Sequence, residues 1–204
     1  MKFSEFFTSR DNVQLDKKTL VALRWIALVG QYATISTVFF IFKFELPFLY
    51  CSLIIFVGVL SNLYLQFKFK KNQLNNFAST FCLFYDLFQL SLLLYLTGGI
   101  TNPFSILLIV PAIVASTFLT LRSTINLSIS TVIILLILTM YNLPLPHYGE
   151  LHFHVPDTYL YALPIAIIIT LSFLTYFGVR FGIENKKRTE ALNKLELILA
   201  KEHE

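Results

Sequence analysis

Six long apolar runs follow one another along this chain, at 20–42, 46–67, 77–96, 104–121, 125–143 and 159–181, and each is closed by a short polar or proline-containing break. Stretches such as "TVIILLILTM" and "LPIAIIITLSFL" are apolar without alternation. Membrane β-barrel strands are about ten residues long and alternate apolar with polar, so these runs predict helices. A hydrocarbon layer of ~30 Å takes about 20 residues of α-helix, close to the length of each run. The expected architecture is all-α: a polytopic membrane protein of six transmembrane helices with a C-terminal cytoplasmic helix.

The pattern changes after 181. "GIENKKRTEALNKLELILAKEHE" is rich in strong helix formers, pairs Glu184 with Arg188 and Glu190 with Lys194 at i,i+4, and places Leu192, Leu195 and Leu199 at spacings of three and four. This predicts a helix leaving the membrane with a narrow apolar seam. A coiled coil with a second copy and a helix lying on the membrane surface both fit such a seam. Neither Gly nor Pro follows Leu199 to cap the helix, so the polypeptide is expected to continue beyond Glu204. Three parts result: a cytoplasmic N-terminal segment 1–19, a six-helix membrane domain 20–181 and a cytoplasmic helix 182–204 leading onward.

Composition and charge sharpen this. With 56% hydrophobic and 14% charged residues, the chain is excluded from the soluble globular class. Grouping the loops by side puts every Lys and Arg except Lys43 with the two termini, so both termini are expected in the cytoplasm. An odd number of spans would break that split. The net charge of +4 is then a topology signal set beside anionic lipid headgroups, and no nucleic-acid partner is expected. The nineteen mixed residues before the first run, and the absence of a small-residue cleavage site after it, argue against a signal peptide. Cys51 and Cys82 lie inside spans with no CxxC, and are read as small buried hydrophobes without a disulfide.

Polar residues inside the runs are the first candidates for function. Asp86 and Gln89 share a helix face, and a carboxylate at bilayer depth costs at least ~2.5 kcal/mol. Asp86 must be protonated, paired or turned to a polar cavity, and Gln31 likewise needs a partner. Asp86, Gln89 and Gln31 form a candidate intramembrane polar site, serving either interhelical hydrogen bonding or ligand and proton traffic. Arg24 and Trp25 open the first run, where a snorkelling cation and a belt aromatic are expected. Asn62, Ser116, Asn126 and Thr139 read as interhelical glue. The outer loop carries His147, Glu150, His152 and His154, but their spacing matches no zinc pattern and they come from one segment, so a solvated loop is expected and no metal site. HExxH, GxSxG and P-loop signatures are absent, as are paired intramembrane carboxylates, and no catalytic residue is assigned.

One interruption stands out. "LTGGITNPF" sets two glycines, an asparagine and a proline between the third and fourth runs. Gly98 and Gly99 permit positive φ and would leave N–H groups uncovered, Asn102 is placed to cap the next helix, and Pro103 suits its first position. A tight helical turn accounts for all four. Donors beside Phe104 would also suit an oxygen-bearing flat ring with an apolar tail, such as a quinone headgroup. Twelve residues of helix, about 18 Å, separate Gly98 from Asp86, so the two candidates are not expected to touch.

"LYLTGGITNPF" resembles the GGxxNPF heptapeptide of the RegB/PrrB family of redox-responsive sensor histidine kinases, with Gly98, Gly99, Asn102, Pro103 and Phe104 all matching. "LRWIALVGQ", "YDLFQLSLLLYL" and "ALNKLELILAKEHE" resemble that family's first span, third span and lead-in to the dimerisation helix. The resemblance implies a bacterial inner (cytoplasmic) membrane protein, homodimeric, sensing the redox state of ubiquinone through residues 98–104. It also implies a kinase region, where ATP would bind, and a response-regulator partner beside quinone and membrane lipid. The family's phosphoacceptor histidine box, redox-active cysteine and ATP-binding domain are not within these 204 residues, and His203 is not followed by the residues of that box. Two other readings stand beside this one: a small transporter or channel using Asp86, and a structural membrane anchor.

Overall fold

The computed structural model describes residues 15–68, 74–147 and 156–202, and every element in them is helical. The long helices are α1 (Lys17–Ser36, continued by a π-helical turn Thr37–Ile41), α2 (Phe48–Lys68) and α3 (Asn76–Leu96). After a short 3-10 turn, Gly99–Thr101, come a 3-10 run Pro103–Ile109, α4 (Val110–Phe118), α5 (Leu121–Met140) and α6 (Asp157–Glu202). Five of the helices are long and apolar enough to cross a membrane unaided, while the fourth expected span is the shorter piece Pro103–Phe118.

That short piece still reaches. Its seven residues of 3-10 helix rise about 2.0 Å each and its nine α-helical residues about 1.5 Å each, giving roughly 27 Å instead of the 24 Å of a plain α-helix. Two prolines account for the tighter winding. Pro103 opens the run with the φ a first turn needs. Pro111 has no N–H to give the Leu107 carbonyl, and in α geometry its ring would press on that oxygen. The Leu107 carbonyl takes the Val110 N–H instead, a 3-10 bond. The run ends three residues before the expected 121 because the Thr120 side chain accepts from Ser123 N and so caps α5.

α1 and α2 pack as a hairpin, whose connecting end is closed by Phe39 stacked on Phe48, ring centroids 4.7 Å apart. α3 to α6 form the larger group, within which α4 lies most extensively along α6. The main core runs through that group, with Leu87, Leu108, Ala112, Leu127, Leu135 and Leu171 at its centre. A smaller cluster of Leu28, Ile35, Cys51, Ile55 and Leu93 joins the hairpin to α3. Cys51 and Cys82 are both free thiols.

α6 is one continuous helix of 46 residues, about 69 Å, with Pro164 inside its outer half. It carries the chain without a break from the membrane into the charged tail. There Arg188 bonds Glu184 at 2.6 Å, as expected. Glu190, expected to meet Lys194, instead lies 3.9 Å from Lys186, one turn earlier on the same face. Leu192, Leu195 and Leu199 are exposed. Glu150, His152, His154 and His203 lie outside the described residues, and the His147 carbonyl accepts from Glu45 N at 3.0 Å.

Gly178 makes the α4–α6 approach this close. A methyl group at its Cα would overlap the Ser116 hydroxyl of α4, whereas at Gly30 a methyl would meet nothing within 4 Å. Gly178→Leu should therefore destabilise the detergent-solubilised protein by about 1–3 kcal/mol through overpacking, lowering its thermal unfolding midpoint. Gly30→Ala, a helix-favouring change in open space, should leave the midpoint unchanged or raise it.

Candidate functional site

Arg24 does not snorkel. It is 5% exposed, and its Nε lies 2.8 Å from Asp86 Oδ1 across the α1–α3 interface. Its Nη2 donates to Ser61 Oγ of α2 at 2.7 Å, and Ser61 Oγ donates onward to the Gly58 carbonyl at 2.8 Å. The Tyr85 ring centroid is 5.3 Å from the guanidinium carbon. The snorkelling expectation fails for a physical reason: a carboxylate at the same depth removes the need to reach for the headgroups, and pairing offsets the desolvation of both ions.

A second polar contact lies two turns along. Gln89 Nε2 donates to Gln31 Oε1 at 3.3 Å, and the Gln89 amide fits against Gly58, 2.6 Å from where a Cβ would stand. Asp86, Gln89 and Gln31 are thus brought into one layer, with Arg24 and Ser61 as members that sequence reasoning missed. A signal for Arg24 was present in the sequence. Arg24 and Gln31 are seven residues apart, hence on one face of α1, and Asp86 and Gln89 are three apart, hence on one face of α3. The two faces pair the four residues, the long Arg24 and glutamine side chains spanning the difference between about 10 Å of rise on α1 and about 4.5 Å on α3. Among the other expected helix-joining residues, Asn62 Nδ2 does cross to the Val21 carbonyl at 3.2 Å. Thr139 and Ser116 bond back to Leu135 and Ile113 of their own helices, and Asn126 is exposed.

At the other end of α3 is the 97–104 turn. Gly98 and Gly99 have φ of 107° and 57°, a region that side-chain-bearing residues avoid. A Cβ at either would lie 2.5 Å from the side chain of Leu145 or Asn142. The segment 141–147 folds over the turn, with Leu143 N donating to the Tyr95 carbonyl at 2.9 Å. Residues 97 to 100 are therefore buried, and the expected uncovered glycine backbone is covered by this segment. Asn102 Nδ2 donates to the Thr97 carbonyl at 2.9 Å and to Thr97 Oγ1 at 2.8 Å, while its Oδ1 accepts from Phe104 N at 2.9 Å. Asn102 is the expected N-cap and Pro103 the first helical residue. Pro103 and the Phe104 ring face outward, with Asn102 half-buried beside them. The inner side of the turn and the 3-10 run approach α6.

The geometry thus defines a class: a helical membrane domain of six crossings whose last helix runs on unbroken, and whose 97–104 turn is folded against that helix. A family profile for the PilS-like transmembrane domain matches residues 19–190. The chain is 32% identical over 186 residues to the sensor histidine kinase RegB of Cereibacter sphaeroides, covering 91% of this chain and 40% of that protein. No solved structure matches. The chain belongs to the PilS-like transmembrane domain family, as a RegB/PrrB-type transmembrane sensor region, and is a membrane sensor input domain. It spans about 40% of the length of the curated relative it matches.

The buried ion pair can be tested without knowledge of any ligand. Arg24→Met or Asp86→Leu alone strands one charge and should cost on the order of 3–5 kcal/mol of stability. The double replacement should recover most of the loss, so the cycle, read by unfolding in mild detergent, should give a coupling at least as large as either single loss, about 3 kcal/mol or more.

Proposed function

We propose that this domain reports the redox state of a membrane quinone, in the class of ubiquinone, to a cytoplasmic histidine kinase region. The site is the outer turn, Gly98, Gly99, Asn102, Pro103 and Phe104. The observation that carries the reading is the two-sided placement of that turn: Phe104 faces lipid on one side while the turn approaches α6 on the other. The fit to a quinone is partial and specific. Pro103 and Phe104 offer an apolar and aromatic face for the ring, whereas both Asn102 amide hydrogens are spent on Thr97. A quinone carbonyl gains a donor only if Asn102 lets go of Thr97. That exchange supplies the two packings of different affinity that a redox signal requires.

A shift at the turn is carried through α4 and α6 to the charged tail, whose leucine seam joins a second copy. The kinase region would then use ATP to phosphorylate its own histidine and pass the phosphoryl group to a response regulator. The Arg24–Asp86 pair acts in this reading as a clamp that holds α1 and α2 to α3. Because Asp86 is engaged with Arg24 and not turned to a channel, the clamp is favoured over transport.

The test uses the full-length kinase in lipid nanodiscs, with autophosphorylation measured under oxidised and reduced quinone. Asn102→Ala and Phe104→Ala should each reduce the difference between the two conditions by about fivefold or more, the size of an ordinary coupling free energy. An undiminished difference in both variants would remove the quinone site from this turn.

A further inference from the structure

We infer that Pro111 is a positioning residue for the outer turn: by holding Pro103–Ile109 in 3-10 form it fixes the rotation at which Phe104 faces the lipid. The hydrogen bonding carries the inference. Pro103–Ile109 is 3-10 helix, and at its end the Leu107 carbonyl takes the Val110 N–H, the bond an α-helix would give to residue 111. Ser105, Leu108 and Pro111 are buried while Phe104, Leu107 and Val110 are 42%, 41% and 46% exposed; in the third row Ile106 is exposed and Ile109 buried. In a 3-10 helix residues i and i+3 eclipse, so Phe104, Leu107 and Val110 form one straight lipid-facing stripe that ends at the turn.

Beyond Pro103, which only opens the run, nothing in "FSILLIV" demands that winding, since seven-residue 3-10 runs are uncommon and the α form has better hydrogen-bond geometry. Removing the proline ring frees the Leu107 carbonyl from its clash and gives residue 111 an N–H to donate to it. An α-helix turns about 100° per residue and a 3-10 helix about 120°. Over the six residues from Val110 back to Phe104 the difference accumulates to about 120°, with a shortening of about 3 Å. Phe104 would leave the lipid face and turn toward the bundle. The functional half of this inference rests on the quinone reading, and the structural half does not.

The experiment has two arms, both in the full-length kinase. In the first, Trp25, the one tryptophan of these 204 residues, is replaced by Phe, as is any tryptophan of the kinase region, Phe104→Trp is introduced as reporter, and quenching by brominated-chain phospholipid is recorded. Strong quenching is expected with Pro111, and at least a twofold loss of quenching with Pro111→Ala. Pro111→Ser provides the same comparison should the alanine variant fold poorly. Equal quenching with and without the proline in a folded variant overturns the inference. In the second arm Phe104 is native and autophosphorylation is measured under oxidised and reduced quinone. A positioning role predicts that Pro111→Ala brings the ratio of the two conditions toward one. A merely structural role lowers both values and preserves the ratio, and that outcome overturns the functional half. Should quenching change as expected while Asn102→Ala and Phe104→Ala keep full quinone control, the positioning stands and the quinone reading falls.

Discussion

Sixteen residues must cross a layer that ordinarily takes about twenty, and much of the outer half of this domain follows from how they do it. A chain in hydrocarbon cannot gain length by unwinding, because every backbone N–H and C=O must keep a partner. The 3-10 run is the compromise. It adds reach while leaving the ladder closed, and the two prolines at 103 and 111 remove two N–H groups and so permit it. With the run stretched, the turn at 97–102 stands high enough to be covered by 141–147 and capped by Asn102. The α-helical remainder, 110–118, lies along α6 where Gly178 lets Ser116 come close.

The inner half depends on a different anchor. Arg24, Asp86 and Ser61 tie three helices at one depth, and Gln31 with Gln89 repeats the tie two turns along. In lipid there is no hydrophobic driving force between helices, so close packing and satisfied polar contacts must hold the hairpin to α3. A buried pair adds less net stability than its Coulomb energy suggests, because both ions are desolvated. What it contributes here is register, since sliding α1 by one turn would strand both charges. α3 therefore carries a fixed point at its middle, Asp86, and the 97–104 turn at its end.

Hydropathy made the helical architecture legible. The six runs correspond to the six crossings, and the unbroken helix past 181 follows from its strong helix formers. What stayed hidden was relational. Whether a cation snorkels or pairs depends on what the neighbouring helix presents at the same depth, and a reading of the first run alone could not supply Asp86. Gly98 and Gly99 announced positive φ correctly, but the cover laid over them by Asn142 and Leu145 belongs to a segment some forty residues on. The prolines at 103 and 111 were visible as letters, yet their joint effect on the winding emerges only in the 3-10 hydrogen bonding between them. Glu190 had two cations one turn away, Lys186 and Lys194, and sequence spacing could not choose between them.

In the proposed reading, information passes from the 97–104 turn to the tail through the α4–α6 contact, the most extensive packing among the described residues. The most direct measurement fixes that contact. Cysteines at Ser116 and Gly178, in a background with Cys51→Ala and Cys82→Ala, would stand with Cβ atoms near the spacing a disulfide needs, since Ser116 Cβ is 3.0 Å from a Cβ built on Gly178. The account predicts that the cross-linked full-length kinase autophosphorylates equally with oxidised and reduced quinone, and that the difference returns once the disulfide is reduced and the reductant removed. A cross-linked kinase that still responds fully to quinone would contradict it.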